Sequence, residues 1–98
     1  HELCKSMLSV FGNMVSFVVD GGDDAGRKML NNMTVASQAI SLGGVESLIS
    51  MPYATTHASW TQEARISAGI DLGFVRFSTG LEDFDDLKND FDQALSSL

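Results

Sequence analysis

Cysteine, proline and basic residues are scarce in this chain, and each shortage excludes something. A single cysteine, Cys4, cannot close an internal disulfide. A small secreted scaffold stapled by cross-links is therefore excluded, and a reducing, cytoplasmic setting is expected. The only proline is Pro52, and no repeat or low-complexity tract interrupts the 98 residues, so one small domain is expected. Only 6 Lys and Arg stand against 13 Asp and Glu, for a net charge of −7. That sign argues against nucleic acid or an anionic membrane surface as a partner, since neither supplies a counter-charge. The longest uncharged runs, Ser6–Val19 and Ser47–Gln62, are too short or too polar to span a bilayer. The first residues, His1-Glu2-Leu3-Cys4-Lys5, lack the basic-then-apolar pattern of a signal peptide. No Cys-x-x-Cys or His-x-x-x-His spacing offers a metal site, and no Gly-x-Ser-x-Gly offers an activated serine.

What is present describes a folded domain. Hydrophobic residues make up 44% of the chain, and the mean hydropathy is +0.07. Met14–Val19 is apolar and β-branched between Gly12-Asn13 and Asp20-Gly21-Gly22, which predicts a strand. A helix follows from Asp23 to Asn32, with Ala25, Met29, Leu30 and Met33 on its buried side and Gly26 as a weak point. Thr34–Ala36 and Glu46–Ser50 read as short strands, and Pro52–Ser59 as a loop. Thr61 is placed to cap a brief helix over Gln62–Ala68, stopped by Gly69. Phe74–Ser78 alternates as a strand.

The last segment holds six acidic residues: Glu82, Asp83, Asp85, Asp86, Asp90 and Asp92. Interleaved with them, Phe84, Leu87, Phe91, Leu95 and Leu98 recur at steps of three and four. This predicts an amphipathic helix whose aspartates form a solvated face, rather than a metal-binding loop. Asp83 and Asp86 resemble a capping box with Asp in place of Glu. The order β-α-β-β-α-β-α predicts an α/β domain of α+β character, with a small antiparallel or mixed sheet and helices packed on one face.

Two features hold chemistry. Arg76 interrupts an apolar strand between Val75 and Phe77, where a guanidinium needs a partner to offset desolvation. An internal acid or a ligand carboxylate would each serve, in a bidentate contact. Ser41-Leu42-Gly43-Gly44 is either a tight connection between strands or a backbone able to approach a ligand closely. His57 reads as a hydrogen-bonded loop histidine and Cys4 as a buried or incidental thiol.

Several motifs in fixed order carry a resemblance. They are Gly12-Asn13-Met14-Val15-Ser16-Phe17, Ser41-Leu42-Gly43-Gly44-Val45-Glu46-Ser47-Leu48-Ile49, Thr56-His57-Ala58-Ser59 and Ala68-Gly69-Ile70, followed by Val75-Arg76-Phe77-Ser78-Thr79-Gly80-Leu81-Glu82-Asp83. Together they resemble the C-terminal domain of the pyridoxal phosphate (PLP) enzymes of cysteine and methionine metabolism. That family includes the cystathionine γ-synthases, the cystathionine lyases and the methionine γ-lyases.

The resemblance implies that Arg76 and Ser41 hold the substrate's α-carboxylate, that Leu42 borders the substrate pocket, and that Thr56 is a further pocket residue. It also implies a larger N-terminal domain carrying PLP and its Schiff-base lysine, an amino acid substrate, and a homotetrameric parent enzyme. None of Lys5, Lys28 and Lys88 sits in a comparable lysine motif, so this chain alone is expected to hold no cofactor and to be inactive. Met51 stands where a histidine commonly precedes the proline, a change read as distant from the pocket. Ile40 stands where some cystathionine-processing members carry glutamate, which tilts the reading toward methionine γ-lyase-like or β-lyase-like substrates. The alternative is a free-standing domain that binds a small amino acid or a partner without chemistry. A docked domain should instead expose a contiguous apolar patch, for which Phe11, Met14, Met51 and Trp60 are candidates.

Overall fold

Alternating side chains along Phe74–Ser78 produce the strand around which the rest of the chain is arranged. The computed structural model describes residues 1–98. Its elements in chain order are α1 (Glu2–Met7), β1 (Met14–Val18), α2 (Gly22–Asn32), β2 (Ser37–Gln38) and β3 (Leu48–Ser50). A 3-10 turn (Pro52–Ala54), α3 (Gln62–Ser67), β4 (Phe74–Ser78) and α4 (Phe84–Ser96) complete the chain.

The four strands form one mixed sheet in the order β1-β4-β3-β2. Both β1 and β3 run antiparallel to β4, with Ser16 and Ser50 each opposite Arg76. β2 is parallel to β3. Parallel neighbours cannot be joined by a hairpin, so residues 39–47 must cross over the sheet, and they do so without a helix.

Helices α2 and α4 pack on each other. Together with the inward residues of the sheet they enclose the core, formed by Met29, Leu30, Ile49, Val75, Phe77 and Leu87 among others. Phe91 of α4 meets Phe17 and Phe77 edge-on, with centroids 6.0 and 5.0 Å apart. The α+β mixed sheet with helices is the architecture expected from the sequence.

Several local expectations are corrected. Thr34–Ala36 is not a strand, because its backbone N–H groups are donated to Asp90 of α4 instead of to a ladder. β3 begins at Leu48 rather than Glu46, since the Ser47 N–H is donated to Glu82. The buried line of α4 runs through Leu87, Asp90 and Ala94, while Phe84 is 76% exposed and Leu95 and Leu98 are also exposed. Asp90, expected on the solvated face, is 2% exposed.

Burial alone would raise the Asp90 pKa. Hydrogen bonds from the N–H groups of Ala36, Thr34 and Val35, and from the Thr34 hydroxyl, outweigh that cost and bring it down to about 2. Met51 belongs to the core and not to an exposed patch. It packs so closely on α2 that a Cβ at Gly26 would lie 2.6 Å from the Met51 Cε. The N-terminal helix α1, unexpected from the sequence, is wholly exposed.

Candidate functional site

Side chains alternate across β4, so Val75 and Phe77 enter the core while Arg76 and Ser78 point to the opposite face. That face is where the 39–47 crossover lies. The Arg76 guanidinium donates through Nη2 to the carbonyl oxygens of Ile40 and Ser41, the latter at 3.3 Å. It makes no ion pair with any acidic residue of the chain; the three ion pairs are Lys5–Glu2, Arg65–Asp23 and Lys88–Asp92. The internal salt bridge weighed for Arg76 is therefore not formed. Backbone dipoles orient the guanidinium but do not neutralise it, and its Nε and Nη1 donors have no acceptor within the chain.

The crossover is tied down at successive points. Two residues beyond Arg76 on the same face, the Ser78 hydroxyl accepts from the Gly43 N–H at 3.2 Å. Gly43 has φ +74°, a left-handed conformation that glycine adopts without steric cost. Its amide is thus turned inward to Ser78, which makes the Gly-Gly pair part of a tight connection. Farther along, the Leu81 N–H donates to the Val45 carbonyl at 2.8 Å. Glu82 accepts from the Ser47 N–H and the Ser47 hydroxyl, each at 2.7 Å. The Ser47 N–H, and then its hydroxyl, hold the Glu82 carboxyl below the usual carboxylate range.

Of the residues singled out in the sequence, Arg76 and Ser41 are brought together. Leu42 follows Ser41 in the same crossover and is 57% exposed. Thr56 is not joined to them by any hydrogen bond; its hydroxyl pairs with Nδ1 of the adjacent His57 at 2.8 Å. His57 in turn stacks edge-on against Trp60, as a loop histidine held by its neighbours would.

Two surface cavities lie elsewhere. One of about 240 Å³ sits among Arg27, Gln38, Ile49, Met51 and Tyr53. An open groove of about 410 Å³ runs along Phe77, Phe84, Leu87 and Phe91. Neither is lined by Arg76 or Ser41. No group of three or more His, Cys, Asp or Glu is placed to hold a metal ion, and no helix is long and apolar enough to cross a membrane.

Sequence reasoning missed Arg65, which is 7% exposed, ion-paired with Asp23 at 3.5 Å and stacked over the Tyr53 ring. Its partners lie on other elements, and nothing in the local sequence of α3 points to them. The roles of Ser47, Ser78 and Glu82 also went unread. They stand inside the quoted motifs, so the motif boundaries were the available signal.

Comparison with known proteins gives this geometry a context. Residues 1–96 match the Cys/Met metabolism PLP-dependent enzyme family. The L-methionine gamma-lyase of Fusobacterium nucleatum subsp. polymorphum is 44% identical over 98 residues, which is 100% of this chain and 25% of that protein. The cystathionine gamma-lyase of Dictyostelium discoideum is 46% identical over 95 residues, or 97% of this chain and 24% of that protein. Among solved structures, cystathione gamma lyase from Micromonospora echinospora superposes with a TM-score of 0.87 at 38% identity, over 98% of this chain and 25% of its own. The chain thus spans about a quarter of the length of these relatives. With nearly every residue inside the family match, and with the same fold in a solved relative, this chain belongs to the Cys/Met metabolism PLP-dependent enzyme family.

Proposed function

We propose that this chain is the C-terminal, substrate-carboxylate-binding domain of a PLP-dependent sulfur amino acid enzyme. The reading is a cytoplasmic C–S lyase of the methionine γ-lyase or cystathionine lyase type, or the related γ-synthase. Arg76 is the observation that carries it. A guanidinium half-buried beside the crossover, oriented by two carbonyls and without an acid partner, has the charge and the free donors that a carboxylate requires. Arg76 binds the α-carboxylate, Ser41 contributes a hydroxyl from the crossover beside it, and Leu42 faces the substrate side chain. Thr56 borders the pocket from the loop after the 3-10 turn.

The lysines of this chain do not fit the cofactor's need for a Schiff-base amine. Lys5 and Lys88 are exposed and paired at 3.1 Å with Glu2 and Asp92, and Lys28 is exposed on α2. None is set in a dry cavity where its amine would be a nucleophile. This supports assigning PLP, which when bound supplies an electron sink for chemistry at the substrate Cα, to a larger N-terminal domain of the same enzyme. The domain reading is also supported by exposed apolar side chains near the start of the chain. Leu3, Met7, Leu8, Val10 and Phe11 are each more than half exposed, and Met14 is 39% exposed, a surface suited to docking on the rest of a homotetrameric enzyme.

Within such an enzyme, Arg76 and Ser41 fix the carboxylate and thereby the direction of the bond to be broken at Cα. The carboxylate is charged alike in ground and transition states, so this binding is uniform. In the full-length enzyme, Arg76→Ala should lower kcat/KM for L-methionine or L-cystathionine by about 2–4 kcal/mol, chiefly through KM. Steady-state kinetics unchanged by the substitution would overturn the assignment.

A further inference from the structure

We propose that Glu82 is a positioning residue that acts through Ser47: it fixes the far end of the 39–47 crossover and so sets Ser41 against Arg76. The inference rests on the carboxylate-clamp reading and adds a residue that touches neither substrate nor cofactor.

Residues 41–46 are all exposed, and they lie outside every helix and strand. Neither apolar burial nor a hydrogen-bonded ladder therefore determines where Ser41 sits; individual hydrogen bonds do so, at Gly43 and Val45 along the crossover and at its two ends. One end is held where Arg76 meets the Ile40 and Ser41 carbonyls. The other end is Ser47, which is completely buried. Both its donors are directed to one carboxylate, the N–H to Glu82 Oε1 and the hydroxyl to Glu82 Oε2. The same hydroxyl accepts from the Gly80 N–H at 2.8 Å.

Two parallel bonds to one carboxylate fix orientation as well as distance, and a charged acceptor makes each stronger than a neutral one would. Backbone touches backbone at this point. A Cβ at Gly80 would lie 2.4 Å from the Glu46 carbonyl carbon and from the Val45 oxygen, so only glycine allows the approach. Glu82 follows β4 by four residues, so the strand that presents Arg76 also presents the carboxylate that anchors the crossover. Strand and crossover are thereby locked in one register.

The experiment uses the full-length holoenzyme with Glu82→Gln, Ser47→Ala and, in parallel, Arg76→Ala. Hydrogen exchange by mass spectrometry is read over residues 41–47 and over the core strand 74–77, and KM and kcat are measured for L-methionine and L-cystathionine. The expected result for Glu82→Gln and Ser47→Ala is faster exchange over 41–47, unchanged protection over 74–77, and a KM raised about tenfold with kcat within about twofold.

Exchange over 41–47 that is unaltered in both variants would overturn the proposal. Protection lost equally over 74–77 would also overturn it, because the effect would then be general destabilisation. If Arg76→Ala raises KM while Glu82→Gln and Ser47→Ala do not, the positioning role fails and the clamp stands. If none of the three moves KM, the clamp reading itself fails.

Discussion

The two faces of β4 are built by opposite means. Val75 and Phe77, on one face, are sealed beneath α2 and α4 and held by close packing of apolar side chains. Arg76 and Ser78, on the other, meet a crossover whose central residues are exposed and which is held by individually aimed hydrogen bonds. Packing is non-directional and tolerates small shifts, whereas hydrogen bonds fix angle and register. The difference separates two kinds of order in one small fold: the helix face supplies stability, and the crossover face supplies the directional geometry on which the proposed carboxylate clamp relies.

The sharpest way to break this comparison is to disturb one face and look for effects on the other. Phe77→Ala removes an aromatic ring packed between sheet and α4, and should cost about 3–5 kcal/mol of stability in denaturant unfolding. The KM of the surviving folded enzyme should stay unchanged. A KM that rises with it would show that the faces are coupled and the division of labour is wrong.

Asp90 should give the next largest effect, because a buried carboxylate joins α4 to the backbone after α2. Its pKa, lowered from 3.8 to about 2, contributes roughly 2 kcal/mol. The folded value lies below the unfolded one, so this stabilisation is complete above about pH 4 and is lost as the pH falls toward 2. Asp90→Asn should therefore unfold more easily than the parent at pH 7, and the gap should narrow in acid; a gap constant with pH would assign the role of Asp90 to packing.

The smallest effect is expected at Thr61, whose hydroxyl accepts from the Ala64 N–H at 3.2 Å to cap α3. Thr61→Ala should cost about 1 kcal/mol by thermal unfolding and leave KM untouched, since the buried residue of α3, Arg65, is paired with Asp23 and stacked on Tyr53 and bonds to neither Arg76 nor Ser41. A change in KM would extend the recognition face beyond the crossover.

How much was legible beforehand differed between the faces too. Met14–Val18, α2, the Thr61 cap and Phe74–Ser78 are local signals, and they read correctly to within a residue or so. Residues 34–36 and 46–47 were expected in strands, yet the amides of Thr34, Val35 and Ala36 are taken by Asp90 and that of Ser47 by Glu82, each more than thirty positions away. Local propensity cannot register such competition. The apolar stripe of α4 misplaced its buried line for the same reason: Asp90 looks like a surface residue until its distant donors are known. Arg76 was legible as an unusual residue in need of an internal acid or a ligand carboxylate, but its contact with the backbone carbonyls of Ile40 and Ser41 was not.

The sequence by itself determined the class of fold, the positions of the main strands and helices, the absence of cross-links, and the family, because these rest on periodicity, composition and motifs in fixed order. Only the tertiary structure decided that Arg76 is oriented by the carbonyls of Ile40 and Ser41 rather than neutralised by an acid, and that Glu82 and Ser47 close the crossover. Those contacts join residues more than thirty positions apart, and such pairings come into being only when the chain folds back on itself.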